Sequence, residues 1–408
     1  MPNSDHPWKE ILTAFLKLGA TSYGGPAMMG IMQAELQGKR KWVSKERFVE
    51  GLAVANMVPG ATATQLGIFL AYERGGWWAG LLGGLCFVLP GFVIMLALAI
   101  TYAGLGLTPI ARGALYGLGP VVIGLFAVAL YRLGRSAAST KSEMSIAVIA
   151  AIISATTPLG IVAILVLAGA AGLLLFHPKT PLIMTAALVA WATVLSISWW
   201  LTTAAQTVGL GTIPNPQNLA ELGAYFLKVG AFTIGGGLTM IAFIQEQVVG
   251  QFHWLTPREF VDGLALGQLT PGPVLIIAAY VGYKVAGLAG AALAATAVFL
   301  PSFVIMLAIL PVLDRVRKLA WVRAVMRGMA PAVIGVLIVS LIRLAPAALP
   351  DPFAIAILAA TIGLQMALGV GAFKLMAAGA VLGVLRSYLP AIPGFKAVAH
   401  LVREATTL

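Results

Sequence analysis

Apolar residues gather into thirteen segments separated by polar stretches or by glycine and proline. In the first half they run over 11–34, 51–72, 78–103, 112–132, 145–157 and 159–176. In the second half they run over 219–245, 263–284, 287–312, 321–343, 353–368 and 371–389, and one further segment, 182–201, joins the halves. A spanning helix needs about 20 apolar residues, which 78–103 and 287–312 satisfy. The pairs at 145–176 and 353–389 are short and split by Pro158-Leu159-Gly160 and Gly369-Val370-Gly371, so each reads as a tight helical hairpin.

The two halves repeat one another. Phe15–Ala20 (FLKLGA) returns as Phe226–Ala231 (FLKVGA), each followed by a glycine cluster, Gly24-Gly25-Pro26 or Gly235-Gly236-Gly237. The Trp42–Ala53 stretch aligns with Trp254–Ala265, Pro59-Gly60 with Pro271-Gly272, and Pro90–Ala97 with Pro301–Ala308. Arg112, Pro120 and Arg132 meet Arg323, Pro331 and Arg343, at a constant offset of 211 or 212. Internal duplication of this kind governs the whole fold. It divides the chain into an N-terminal repeat (1–178), a linker with a connecting transmembrane helix (179–218) and a C-terminal repeat (219–408).

Six segments, then one, then six, turn the second repeat upside down. Loop charge agrees. Residues 35–50 carry five cations (Lys39, Arg40, Lys41, Lys45 and Arg47), while the matching 246–262 carries only Arg258. Residues 313–323 carry Arg315, Arg317, Lys318 and Arg323, while 103–111 is uncharged. Cations collect in cytoplasmic loops, so matching loops lie on opposite sides, as in the inverted repeats of secondary transporters. The basic 35–50 loop is cytoplasmic only if 11–34 and 51–72 dip in and return. The expected fold is therefore an all-α polytopic membrane protein of two inverted repeats. It has about nine full spans and four half-spanning, re-entrant hairpins broken near their middles.

Composition excludes the other classes. The chain is 60% hydrophobic and 10% charged, with mean hydropathy +0.96, against about 25% charged residues in a soluble domain. The net charge of +12 reads as positive-inside bias and not as a nucleic-acid footprint. Cys86 is a lone cysteine, and the four histidines are scattered. No disulfide, metal site or cofactor is expected, nor a nucleophile–base set for an enzyme. The first ten residues lack a basic n-region, so a cleaved signal peptide is not expected.

The breaks are the candidate chemistry. Half-helix N-termini present backbone N–H groups and about half a positive charge. Gly24, Gly25, Pro26, Pro59 and Gly60, with Gly235, Gly236, Gly237, Pro271, Gly272 and Pro273, would bring four such ends together near the midplane. Thr62 and other hydroxyls stand nearby, with the amides Asn56, Gln65 and Gln268. Donors without acids suit an oxyanion; the plainer reading is that glycine and proline only permit kinks and close packing. Lys17 and Lys228 share one repeat position inside apolar segments, where a cation faces either a cavity or the interface. Glu35 and Glu246 are taken as matched acids, and Arg112 and Arg323 as matched helix starts; these four are candidates for gating or coupling. Arg132 and Arg343 end the same helices, where arginine usually reaches to headgroups, with substrate gating as the alternative.

The glycine cluster, the Trp–Phe–Gly-Leu-Ala stretch, the Pro-Gly-Pro and the later Leu-Pro-Ser, each present twice in some form, resemble the chromate ion transporter family in its long-chain, two-domain form. The resemblance covers nearly the whole chain. It implies a multi-pass carrier of the bacterial cytoplasmic (inner) membrane that expels chromate, coupled to the proton or electrical gradient. Chromate or a similar oxyanion and membrane lipids are the implied partners, without nucleic acid; a homodimer is compatible with this. Sulfate or another small oxyanion is the rival substrate, and an anion channel the rival class. Four positions depart from the family pattern. Ala61 closes the first Pro-Gly-Pro, Met28 or Met29 stands where a histidine is common, Gly237 replaces the proline of the second cluster, and Gly91 replaces the serine of the first Leu-Pro-Ser.

Overall fold

The computed structural model describes residues 7–23, 25–104, 108–177, 219–234, 237–312 and 319–388, with Thr185, Val189 and Thr193. Gly24, Gly235, Gly236, Arg315, Arg317, Lys318 and, those three positions apart, the connecting segment 182–201 lie outside the described residues. The first repeat forms α1 (Pro7–Thr21), α2 (Gly25–Met32), α3 (Lys45–Met57), α4 (Thr62–Gly104), α5 (Pro109–Ala137), α6 (Lys141–Thr156) and α7 (Ile161–Phe176). The second forms α8 (Leu219–Phe232), α9 (Thr239–Phe243), α10 (Pro257–Leu269), α11 (Ile277–Ile309), α12 (Ala320–Ala348), α13 (Pro352–Ala367) and α14 (Ala372–Tyr388). The described chain is helical throughout its regular structure, without a strand. Helix starts carry ordinary caps: Ser44, Thr108, Thr140, Thr256 and Asp351 each accept from a first-turn N–H, and Pro109, Pro257 and Pro352 follow their caps directly.

The broken segments double back on themselves. Across the first break, Glu10 accepts from Trp42 Nε1 at 3.0 Å and pairs with Arg40 at 3.5 Å, so α1 and the end of the α2 segment lie side by side. Across the second, Arg47 pairs with Glu73 at 2.8 Å. The second repeat does likewise: Tyr225 packs on Trp254 with ring centroids 5.8 Å apart, and Lys284 pairs with Glu259 at 2.8 Å. The reversals fall at residues 22–25, 58–61, 233–238 and 270–273, where the glycines and prolines stand. The hairpin bases differ in chemistry. In the first repeat Glu10, Arg40 and Arg74 make an ionic corner around Trp42. In the second, Tyr225, Phe252 and Trp254 make an aromatic one.

The long α4 and α11 are each two helices meeting at a sharp turn. Gly76 (φ 78°) and Gly287 (φ 61°) take left-handed conformations there that residues with a side chain avoid. A Cβ on Gly84 would meet Ile68 at 2.7 Å, so the chain after the turn runs back along the chain before it. Four stretches, 62–104, 109–137, 274–312 and 320–348, are long and apolar enough to cross a membrane. Where the sequence predicts nine spans, α6, α7, α13 and α14 hold 16 or 17 residues each, about 25 Å against a hydrocarbon core of about 30 Å.

The repeats are interlocked. α6 and α7 of the first repeat pack on α12 of the second, and α13 and α14 pack on α5. Glycines allow these crossings: a Cβ on Gly117 would sit 2.9 Å from Gly383 N, and one on Gly172 would sit 2.8 Å from the nitrogen of Gly328. Between apolar helices in lipid, such backbone approach supplies the packing that the hydrophobic effect cannot. Polar links close the ends of the two contacts: Glu143 pairs with Arg327 at 2.9 Å, and Tyr116 of α5 donates to Asp351 Oδ1 at 2.7 Å, which in turn pairs with Arg386.

Two π-helical turns, Gln33–Lys39 and Ile244–Gln251, follow the first break of each repeat. The apolar pattern gives no sign of them. They shift the repeat register by one residue: Arg40 N–H donates to Glu35 O, and Phe252 N–H donates to Gln247 O. Glu35 is thus the structural mate of Gln247, which corrects the sequence pairing of Glu35 with Glu246; Ala34 precedes Glu35 as Glu246 precedes Gln247.

Candidate functional site

The four break tips meet at the centre, and they meet by exchange. Gly60 N–H donates to Thr233 O at 2.7 Å, and Gly272 N–H donates to Ser22 O at 2.9 Å. These are two-fold images: the second hairpin of each repeat hooks onto the first hairpin of the other. Gly60 (φ 130°) and Gly272 (φ 105°) hold conformations that favour glycine. Their N–H groups are therefore occupied by protein, and the donors left for a ligand lie further on, at the start of α4.

The next residue explains two departures from the family pattern. Ala61 N–H donates to Ser302 Oγ at 2.8 Å, in a buried contact between repeats. The matching position after Gly272 is Pro273, which has no N–H and needs no acceptor. The residue matching Ser302 is Gly91, where a Cβ would lie 2.6 Å from Pro271 O. Alanine is thus served by serine, and proline is approached by glycine.

Beside the tips lies a cavity of about 740 Å³, within the range of small-molecule sites. Its floor is the tips: Tyr23, Asn56, Ala61, Thr62 and Ala63 from one repeat, Gln268, Pro273, Val274 and Leu275 from the other. Asn56 and Gln268 are repeat mates. One wall is α5, through Leu125, Phe126, Ala129, Arg132, Leu133 and Ser136 at helical spacing; facing it are Met28 and Met29 of α2 and the α13–α14 turn at Gly369–Phe373. Arg132 is the one charged residue among those lining it, and no acid does. Its guanidinium donates to Gln365 O at 3.4 Å. At the start of α4, Gln65 N–H is the first to find a carbonyl one turn back, on Ala61. The N–H groups of Thr62 and Ala63 therefore add the positive end of a helix to the floor. Cation, dipole and amides together favour an anion.

The two-fold image of this cavity is closed. α9 packs on α12, and Met240, Ser340 and Leu344, the mates of the lining residues Met29, Ala129 and Leu133, are all buried. Arg343, the mate of Arg132, donates to Ser154 O at 2.9 Å.

Of the residues expected from sequence, Thr62 and Pro273 line the cavity. Gly60 and Gly272 form the hooks, Pro59 O accepts from Gln65 Nε2 at 2.8 Å, and Pro271 O approaches Gly91. Gly25 and Pro26 open α2, and Gly237 (φ 92°) precedes α9. Lys17 is exposed on α1, and Lys228 Nζ donates to Gln247 Oε1 at 2.7 Å; neither lines the cavity. Arg112 and Arg323 are exposed near their helix starts, Glu35 pairs with Arg40 at 2.9 Å, and Glu246 accepts from Ile161 N–H at 3.3 Å. Gly24, Gly235 and Gly236 fall outside the described residues. Sequence reasoning favoured a headgroup role for Arg132 over substrate gating, since it shares its pattern with Arg343; the further signal was its place on the Leu125–Ser136 stripe.

The chromate transporter family profile matches residues 9–173 and 220–384, once per repeat. A chromate transport protein of Cupriavidus metallidurans is 32% identical over 346 residues, covering 84% of each chain. One of Pseudomonas aeruginosa is 32% identical over 345 residues, 83% of this chain and 81% of that protein. A probable chromate transport protein of Synechococcus elongatus is 34% identical over 299 residues, 73% of this chain and 74% of that protein. No solved structure matches. With a family match in both repeats and relatives alike along most of their length, this multi-pass membrane protein belongs to the chromate transporter family.

Proposed function

We propose that this chain is a secondary carrier of the bacterial inner membrane that exports chromate, loading it from the cytoplasm into the cavity beside the hairpin tips. One observation carries the reading: among the described residues the cavity walls hold a single cation, Arg132, and no acid, above a floor of helix-start N–H groups and amides. Chromate is a tetrahedral dianion, and arginine and backbone donors suit its oxygens. The cavity opens at the C-terminal end of α5, the end shared with the ionic hairpin bases around Glu10, Arg40 and Arg74. By the positive-inside rule that end is cytoplasmic, and the aromatic bases of the second repeat face outside. This supports inverted repeats with re-entrant hairpins, and a substrate path from inside. Expelling a dianion gains about 4.6 kcal/mol per 100 mV of inside-negative potential. A closed two-fold image of the open cavity suits a carrier better than a channel, which needs both ends open together.

Everted vesicles test this. Chromate uptake should saturate, depend on the imposed gradient and withstand excess sulfate. Uptake abolished by equimolar sulfate would move the substrate to sulfate; uptake linear in chromate would make the protein a channel.

A further inference from the structure

The two gates of this protein are built from repeat mates, and they differ by one carboxylate. At the closed gate Glu246, in the π-helical turn after α9, reaches from the second repeat to the first. Its Oε2 accepts from Ile161 N–H, the first residue of α7, at 3.3 Å. A Cβ on Gly160 would lie 3.8 Å from Glu246 Oε1, so the α6–α7 turn rests against the same carboxylate. A carboxylate there meets both an orphan donor and the positive end of the helix dipole.

The open gate has the same parts without the acid. The mate of Ile161 is Ala372, the first residue of α14; it lines the cavity, and its N–H has no partner among the described residues. Glu35 is the mate of Gln247, and the residue before it, where Glu246 stands in the second repeat, is Ala34. The nearby Glu35 is held by Arg40 at 2.9 Å and Lys39 at 3.8 Å. The arginine contact, by contrast, is present at both gates: Arg343 on Ser154 O at 2.9 Å and Arg132 on Gln365 O at 3.4 Å.

We propose that Glu246 is a one-sided latch: it holds the outer gate shut and biases the resting carrier toward the state whose cavity opens to the cytoplasm. When the gates exchange, Glu246 gives up Ile161, and Ala34 offers Ala372 nothing in return. The outward-open state is therefore the less populated one, and a loaded carrier that has released its anion returns readily. The acid acts through gate position and does not touch the substrate. The inference rests on the carrier reading above and deepens it by naming what sets the resting state.

The test reads gate position by cysteine labelling without chromate, so it fails or stands apart from the substrate. In a Cys86→Ala background, Ser340→Cys reports the outer gate, because Ser340 is buried and is the mate of cavity-lining Ala129. Ser136→Cys reports the inner cavity. Glu246→Gln, which keeps an acceptor and loses the charge, should raise labelling of the first by an impermeant thiol reagent about fivefold, the margin of a charge-assisted over a neutral hydrogen bond. The exposed Ala34→Glu builds the missing link at the inner gate and should lower labelling of the second by a similar factor. Labelling of Ser340→Cys unchanged by Glu246→Gln would overturn the latch. So would Ala34→Glu leaving the inner cavity as accessible as before, in a protein that still elutes as a single species in detergent.

Discussion

The Ala61–Ser302 contact makes a quantitative prediction about how the repeats are joined. Ala61 is 2% exposed and Ser302 0%, and their hydrogen bond is 2.8 Å long. Ser302→Ala removes the acceptor and leaves Ala61 N–H dry, which costs about 1–3 kcal/mol. Ala61→Pro removes the donor instead and leaves the hydroxyl unserved, at about 1 kcal/mol. The second repeat shows that the backbone accepts the change: Pro273 sits at φ −71° and ψ 143° after a glycine of positive φ, as Ala61 follows Gly60. Removing both partners should therefore cost less than the sum, with a coupling energy of about 1–2 kcal/mol in favour of the double variant. Reversible unfolding in mixed detergent micelles, run on wild type, both singles and the double, measures that coupling. Costs that add to within about 0.5 kcal/mol would show the two residues to be independent and refute the exchange argument.

Three further outcomes follow from the geometry. Arg132→Gln should raise the chromate concentration for half-maximal vesicle uptake about tenfold, as expected for one charge-assisted hydrogen bond, with Arg132→Lys intermediate; Lys17→Gln, at an exposed position away from the cavity, should leave it unchanged. Gly60→Leu should reduce the yield of folded protein in size-exclusion profiles, since its Cβ would sit 2.5 Å from both Gln65 Nε2 and Ser302 Oγ at a φ of 130°; a well-folded but inactive variant would contradict this. Ser44→Cys and Thr256→Cys, in a Cys86→Ala background, should label from opposite sides of the membrane, and labelling from one side would end the inverted arrangement.

The helices and their breaks were legible because lipid leaves a chain few options. Apolar runs must be helical, and interruptions such as Pro59-Gly60 and Pro271-Gly272 must fall where protein can serve the freed backbone. The five cations in 35–50 pointed the same way, since they ask that α1 and the α2 segment lie side by side, as the Glu10–Trp42 contact has them. What escaped is what apolar pattern does not encode. A π-helical turn adds a residue without breaking an apolar stripe, so the change of repeat offset from 211 to 212 could be bracketed between the glycine clusters and Trp42–Trp254 but not placed just before Glu35 and Gln247. The assignment of N–H groups at the tips escaped for a related reason, since Gly60 and Gly272 look like free donors until the partner repeat is in place.

Arg132 shows a deeper limit. It and Arg343 occupy the same repeat position, and both reach a carbonyl on the paired helix. One lines a cavity of about 740 Å³, while beside the other Ser340 and Leu344, the mates of lining residues, are buried. The difference is not in the two arginines but in the stand-off of α2 from α5, against the seating of α9 on α12. A duplicated sequence describes both gates at once, and a carrier must be able to wear either arrangement. What favours one at rest has to come from positions where the repeats differ. Among these, Glu246 against Ala34 places a charged link across one gate only. Ala61 and Ser302 against Pro273 and Gly91 leave the hooked tips equally satisfied on both sides. The centre is thus balanced between repeats while the gate is not, which is the combination an alternating carrier with a preferred loading side requires.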